Sequence, residues 1–182
     1  MTFVLPKYGV NQAIDSHPPW MAASNLPLDL TVNMPYNNVK NDYSSWLVGY
    51  YFFDNIPNDA IIIGIEVTIR KRQEIDAEYY DHAVNIFTNQ IDYGVSLGPS
   101  GDNLANPNLW PTDSSVISYG GRHNTWGLSL RGSDMNGSIL GVGLSAIGTG
   151  DVDKTCYVHN MKMQIYYVSA NQIMTGWDLG VW

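Results

Sequence analysis

The stretch IPNDAIIIGIEVTIRKR, residues 56–72, decides the fold class. Ile61, Ile63, Ile65, Val67 and Ile69 fall on every second position, and Arg70, Lys71 and Arg72 close the run. Period two marks a strand that buries one face and wets the other. Burying five branched side chains contributes on the order of 10 kcal/mol, at about 1.5–3 each, so the strand belongs near the centre of a sheet. The basic cluster has two readings. It can be a gatekeeper, charge that keeps an apolar β segment from pairing edge to edge, or a basic binding patch. Glu74 and Asp76 follow directly and weigh against the patch.

The same signal recurs along the chain. SSWLVGYYFF (44–53), DHAVNIFTN (81–89), SSVISYGG (114–121), SILGVGLSAIG (138–148) and CYVHNMKMQIYYV (156–168) all read as strands, separated by Gly, Pro, Asn and Asp clusters. In 81–89 the alternation runs through His82, Val84 and Ile86. Helical periodicity is almost absent, apart from one turn at SDMNG (133–137), where Ser133 can cap, Gly137 can terminate, and the turn can bridge two sheets. Strands without intervening helices predict an all-β fold, an antiparallel β-sandwich of jelly-roll-like character over residues 46–168. Its expected core includes Ile61, Ile63, Ile65, Val67, Leu140, Val142, Leu144, Met163 and Ile165. Residues 1–45 read as an N-terminal arm with the first strand or strands, and 169–182 as a C-terminal arm.

The composition bounds the function. The chain has 182 residues, 45% hydrophobic and 14% charged, with 12 Tyr and 6 Trp. A net charge of −8 gives nothing to neutralise a run of phosphates, so no nucleic-acid partner is expected. No stretch reaches the roughly 18 apolar residues of a membrane-spanning helix, so no membrane insertion is expected. The opening MTFVLPKYGV does not read as a signal peptide. The single cysteine, Cys156, excludes an intrachain disulfide and reads as a buried, inert thiol.

Catalytic signatures are missing. His17, His82, His123 and His159 show no metal-ligand spacing. GVGLSAIG only superficially resembles a hydrolase elbow, because Ser145 falls inside a strand. Asp151 and Asp153 in TGDVDK, with Asp102 and Asn103 as helpers, could build a calcium loop, although two loop acids are commonly a solvated turn. No catalytic residue, metal or cofactor is therefore expected. Trp110 in NLWPTD and Trp126 in HNTWGL could stack on a glycan or anchor the core.

Taken together, several segments resemble a β-sandwich domain family of tailed-bacteriophage virion proteins, capsid decoration or tail-associated. Ile56, Pro57, Ala60, Ile62, Gly64, Ile65, Glu66, Val67 and Ile69 match its pattern I-P-x-x-A-x-I-x-G-I-E-V-x-I. LWPTDSSVISYGGRHNTWGLSL is similar to its W-P-T … Y-G-G … W-G block, GSDMNGSILGVGLSA to D-[IM]-N-x-x-x-x-G-V, and the closing strand ends in Tyr166 and Tyr167. The likeness spans about residues 20–168 and brings no catalytic residues with it. It implies architectural roles for Gly64, Gly141, Trp126, Asp134 and Asn136. It further implies a structural protein made in the host cytoplasm and located in the virion. The leading form is a capsid decoration or cement protein; the alternative is a tail or head-fibre module that binds a receptor or carbohydrate. The expected partners are further copies of the chain (a homo-oligomer, with a trimer as one option), the major capsid or other virion proteins, and a host surface glycan for the alternative. Apolar residues in both arms have two readings of equal weight: they pack on their own domain, or they dock on a neighbouring subunit, in which case the assembly contacts are Phe3, Leu5 and Tyr8 at one end and Trp177, Leu179 and Trp182 at the other.

Overall fold

A computed structural model describes residues 2–4, 11–14, 32–35, 42–53, 56–90, 96–136, 139–149 and 154–169. It is a two-sheet antiparallel sandwich. One sheet holds β1 (Thr2–Val4), β10 (Thr155–Val168), β5 (Ile61–Gln73) and β8 (Ser115–Gly121) in that order, and β3 (Val32–Pro35) also pairs with β10. The other runs β2 (Asn11–Ile14), β4 (Trp46–Phe52), β9 (Ile139–Gly148), β6 (Tyr79–Gln90) and β7 (Ser96–Ser100). All six strands expected from periodicity form. The short β1, β2, β3 and β7 carry too few residues to show a period.

The core fills the space between the sheets. From β5 it takes Ile65, Val67 and Ile69, from β9 Leu140, Val142, Leu144 and Ala146, and from β10 Met161, Met163 and Ile165. Two expected members are not in it. Ile61 is 41% exposed, and Ile63 is only partly buried. The cause is a break in register: Tyr166 pairs with Gly64 but Tyr167 with Ile62, so Ile63 is an extra residue on β5. A bulge shifts the side-chain phase, and Ile62, 4% exposed, takes the inward place. Gly64 lies at the bulge because a Cβ there would sit 2.3 Å from the Arg122 carbonyl.

The predicted helical turn is α1 (Gly132–Met135), between the two sheets as expected. Asn136 bridges to Phe53 beyond β4, and Arg131 bridges to Ile61 on β5. Its capping residue is Arg131 rather than Ser133: the Arg131 N–H donates to Asp134 Oδ2 at 2.7 Å. Asn136 Nδ2 donates to the Ile56 carbonyl at 2.6 Å, and no residue but glycine fits at 132, where a Cβ would meet the Pro57 carbonyl at 1.8 Å.

The N-terminal arm is in part a component of the sandwich's own sheets. Phe3 pairs with Tyr166 of the same chain, and Ala13 with Leu47. Leu5, Tyr8, Trp177, Leu179 and Trp182 lie outside the described residues, as do His17, Gly137, Asp151 and Asp153.

Candidate functional site

The inward phase of β5 does not stop at Ile69. It continues through Lys71 and Gln73, both buried. Lys71 is therefore neither a gatekeeper nor part of a basic patch. Its neighbours diverge from it: Arg70 is exposed, and the Arg72 guanidinium lies 3.9 Å from the centre of the Tyr157 ring. Facing Lys71 from the other sheet is Asp81 on β6. A register shift between Asp81 and Ala83 makes His82 an extra, exposed residue and changes the phase. Asp81 points inward before the bulge, Val84 and Ile86 after it. His82 is thus not on the inward face with Val84 and Ile86, as simple alternation would place it.

Two further elements complete the cluster. Tyr119 comes from β8. Trp110 is delivered by the 101–114 segment, which is tied along β6 by Leu104 N–H to the Val84 carbonyl at 2.9 Å and Trp110 N–H to the Tyr79 carbonyl at 2.9 Å. Asp81 Oδ1 accepts from Lys71 Nζ and from Trp110 Nε1 at 2.8 Å. Asp81 Oδ2 accepts from Tyr119 Oη at 2.7 Å and from the Asn106 N–H at 3.1 Å. Lys71 Nζ also donates to Tyr119 Oη at 2.6 Å and lies 4.5 Å from the centre of the Trp110 ring. Lysine, aspartate and tyrosine thus form a closed triangle, with an indole N–H and a backbone N–H completing the carboxylate's partners.

Burial sets the electrostatics. It holds the Lys71 ammonium below its ordinary value, against the opposing pull of the Asp81 carboxylate. Burial also pushes the Tyr119 phenol up, and the adjacent carboxylate adds to the effect. A lysine with a lowered pKa is a common feature of amine catalysis, but such a residue has to meet a substrate. The Lys71 side chain is 2% exposed and that of Asp81 is 0%. Within the described residues this cluster is closed to solvent and joins the sheets.

A second polar group has a catalytic outline and a different use. His82 Nδ1 lies 3.3 Å from Ser145 Oγ. Ser145 is buried, however, and its hydroxyl donates to the Ser44 carbonyl at 2.8 Å, while Ser44 Oγ accepts from the Ala146 N–H at 2.9 Å. Tyr43 stacks on the His82 ring at 4.2 Å. The group straps residues 43–45 onto β9. Of the calcium-loop helpers, Asn103 places Oδ1 on the N–H groups of Val84 at 2.9 Å and Ala105 at 3.0 Å, which is a loop cap. Among the described residues, no group of three or more potential metal ligands converges.

Trp110 and Trp126, the two candidate glycan platforms, are 2% and 0% exposed, so neither ring offers a face to a sugar. Trp126 adopts φ 57°, and its Nε1 donates to the Ile65 carbonyl at 2.9 Å. Cys156 is buried. The positions that carry the sequence resemblance therefore do architectural work: Gly64 at the bulge, Trp126 on the central strand, Trp110 on Asp81, and Asp134 and Asn136 at α1. Compared with protein-family models, curated proteins and solved structures, the chain matches none. Fold and cluster together define an all-β sandwich whose described buried ionic groups hold its two sheets in one alignment.

Proposed function

We propose that this chain is a structural protein of a bacteriophage particle, a capsid decoration protein that works by homo-oligomeric assembly against the major capsid protein. One observation carries the reading. Among the described residues, the polar side chains that come together in clusters, Lys71, Asp81, Tyr119 and Ser145, are buried and committed to holding strands together. That is the expected use of polar groups in a scaffold whose task is to keep one shape. The resemblance of residues 56–69 and 110–146 to virion β-sandwich domains supports it, since the residues that carry the likeness are the ones that set the fold. The alternative, a fibre module that binds glycans, would need a platform other than the buried Trp110 and Trp126.

The residues that meet the capsid are proposed to be in the arms, above all Trp177, Leu179 and Trp182, because Trp dominates interface energies. Deleting 170–182 tests this. The truncated chain should keep the wild-type circular dichroism spectrum and lose co-sedimentation with purified capsids. Undiminished co-sedimentation would overturn the reading of the arm. Binding to a glycan array with no binding to capsids would overturn the decoration role in favour of the fibre module.

A further inference from the structure

The edges of a sheet are where two chains can join, and the two edges nearest the 101–114 segment are finished differently. β7 carries Pro99, which has no N–H to offer. β8 reads SVISYGG, with no proline and no charge, although charge, proline and distortion are the usual protections of a free edge; its positive-φ residues, Gly120 and Gly121, distort only its last two positions. Val116 is 52% exposed, and Ser118 is exposed as well.

Hydrogen-bond parity shows which groups of β8 are free. The N–H of Ile65 donates to the Asn124 carbonyl at 2.8 Å, and its carbonyl accepts from Trp126 Nε1, so Ile65 directs its backbone toward the β8 side. In an antiparallel ladder alternate residues bond the same neighbour. Val67, Ile69 and Lys71 thus face β8 and engage Tyr119, Ile117 and Ser115. The N–H and C=O groups of Val116 and Ser118 then point away from the sheet, where the described residues give them no partner.

We propose that β8 is an interface between copies of this chain, pairing antiparallel with β8 of a second copy about a two-fold axis so that one sheet runs through both sandwiches. Charge selects this occupant and this direction. A strand without charge is where two chains of net charge −8 can approach most closely. On the outer face, Arg70 lies beside Val116 and Glu66 beside Gly120. Antiparallel pairing sets the Arg70 end of one copy against the Glu66 end of the other, whereas parallel pairing would set like against like. A two-fold axis makes the contact self-complementary and closed. The pairing does not depend on a role in a phage particle.

The test is light scattering on the purified chain at about 100 μM, where a micromolar dimer is saturated. The wild-type mass should be twice the 20.3 kDa of one chain. Ser118→Pro removes an outward N–H without touching the β5 ladder, and Val116→Lys places a charge on the edge. Each should fall to the mass of one chain, with dimerisation weakened at least tenfold and the circular dichroism unchanged. If the proline variant does not fold, the lysine variant decides. Deletion of 170–182 should leave the doubled mass intact. A wild-type chain that is single at this concentration would overturn the proposal, as would folded variants that keep the doubled mass or a doubled mass lost with the arm. Capsid co-sedimentation by Ser118→Pro reads the particle role separately, so either idea can fail alone.

Discussion

The two halves of β5 solve the same problem in opposite ways. Over residues 65–69 the strand meets the facing sheet through Ile65, Val67 and Ile69, each 0% exposed. Over residues 71–73 it meets the facing layer through Lys71 and Gln73, with Asp81, Tyr119 and Trp110 around the ammonium and the Tyr79 N–H on Gln73 Oε1 at 2.8 Å. The apolar half supplies non-directional stabilisation, which tolerates small slips. The polar half gives little net stability relative to a hydrophobic replacement, but it is satisfied in one arrangement of the sheets and costly in any other. One strand therefore carries both the driving force and the alignment.

The largest effect should come from putting a charge into the apolar half. Ile65→Asp puts a carboxylate at a position that is 0% exposed, a loss of about 5 kcal/mol or more, comparable with the whole stability of a domain. No cooperative thermal transition should remain; a midpoint close to wild type would remove Ile65 from the core. In the polar half, Tyr119→Phe deletes one donor to Asp81 and one acceptor for Lys71, and should cost about 1–3 kcal/mol in urea unfolding with an unchanged slope.

Alkaline pH acts on the buried phenols and on Lys71 with opposite signs. Burial raises the phenols of Tyr51 and Tyr119 above the ordinary value of 10.0. Their contribution to stability is complete below pH 10 and is lost as pH rises beyond it, because the unfolded phenols ionise while the folded ones hold their protons. Lys71 acts the other way. Its folded value lies below 10.5, so in the window between the two the folded chain has released a proton that the unfolded chain retains, and stability rises with pH there. The melting midpoint should fall above pH 10, and Tyr51→Phe should delay the fall; an unchanged onset in that variant would deny Tyr51 its part. The smallest effect belongs to the bulge. Ile63→Ala should cost less than about 1.5 kcal/mol, well short of the 2–5 typical of a buried isoleucine. A core-sized loss would place Ile63 inside.

The apolar half was legible in the sequence and the polar half was not. Alternation of branched residues identified β5 and its centre, as it did β9 and β10. It failed at Ile61 and Ile63 because a single extra residue reverses the phase, and Gly64 was the only local sign of one. It failed at Lys71 for the opposite reason: the phase ran on unbroken through 65, 67, 69 and 71, and the charge concealed it. The partner at Asp81 could not be found from spacing, since it sits on another sheet, ahead of a second bulge at His82. The sequence around Trp110 does not say where its N–H goes, and only the path of 101–114 along β6 brings that group to the Asp81 carboxylate.

The claim that the Lys71–Asp81 pair aligns the sheets is tested most directly by a double-mutant cycle with Lys71→Met and Asp81→Leu, measured by urea unfolding. Each single replacement strands one buried charge and should cost about 3–5 kcal/mol. The double replacement should cost less than the sum of the two by at least about 2–3 kcal/mol, the coupling expected of residues in one network, because it leaves neither charge stranded. Additive losses, or single losses below about 1 kcal/mol, the range of exposed ion pairs, would contradict it.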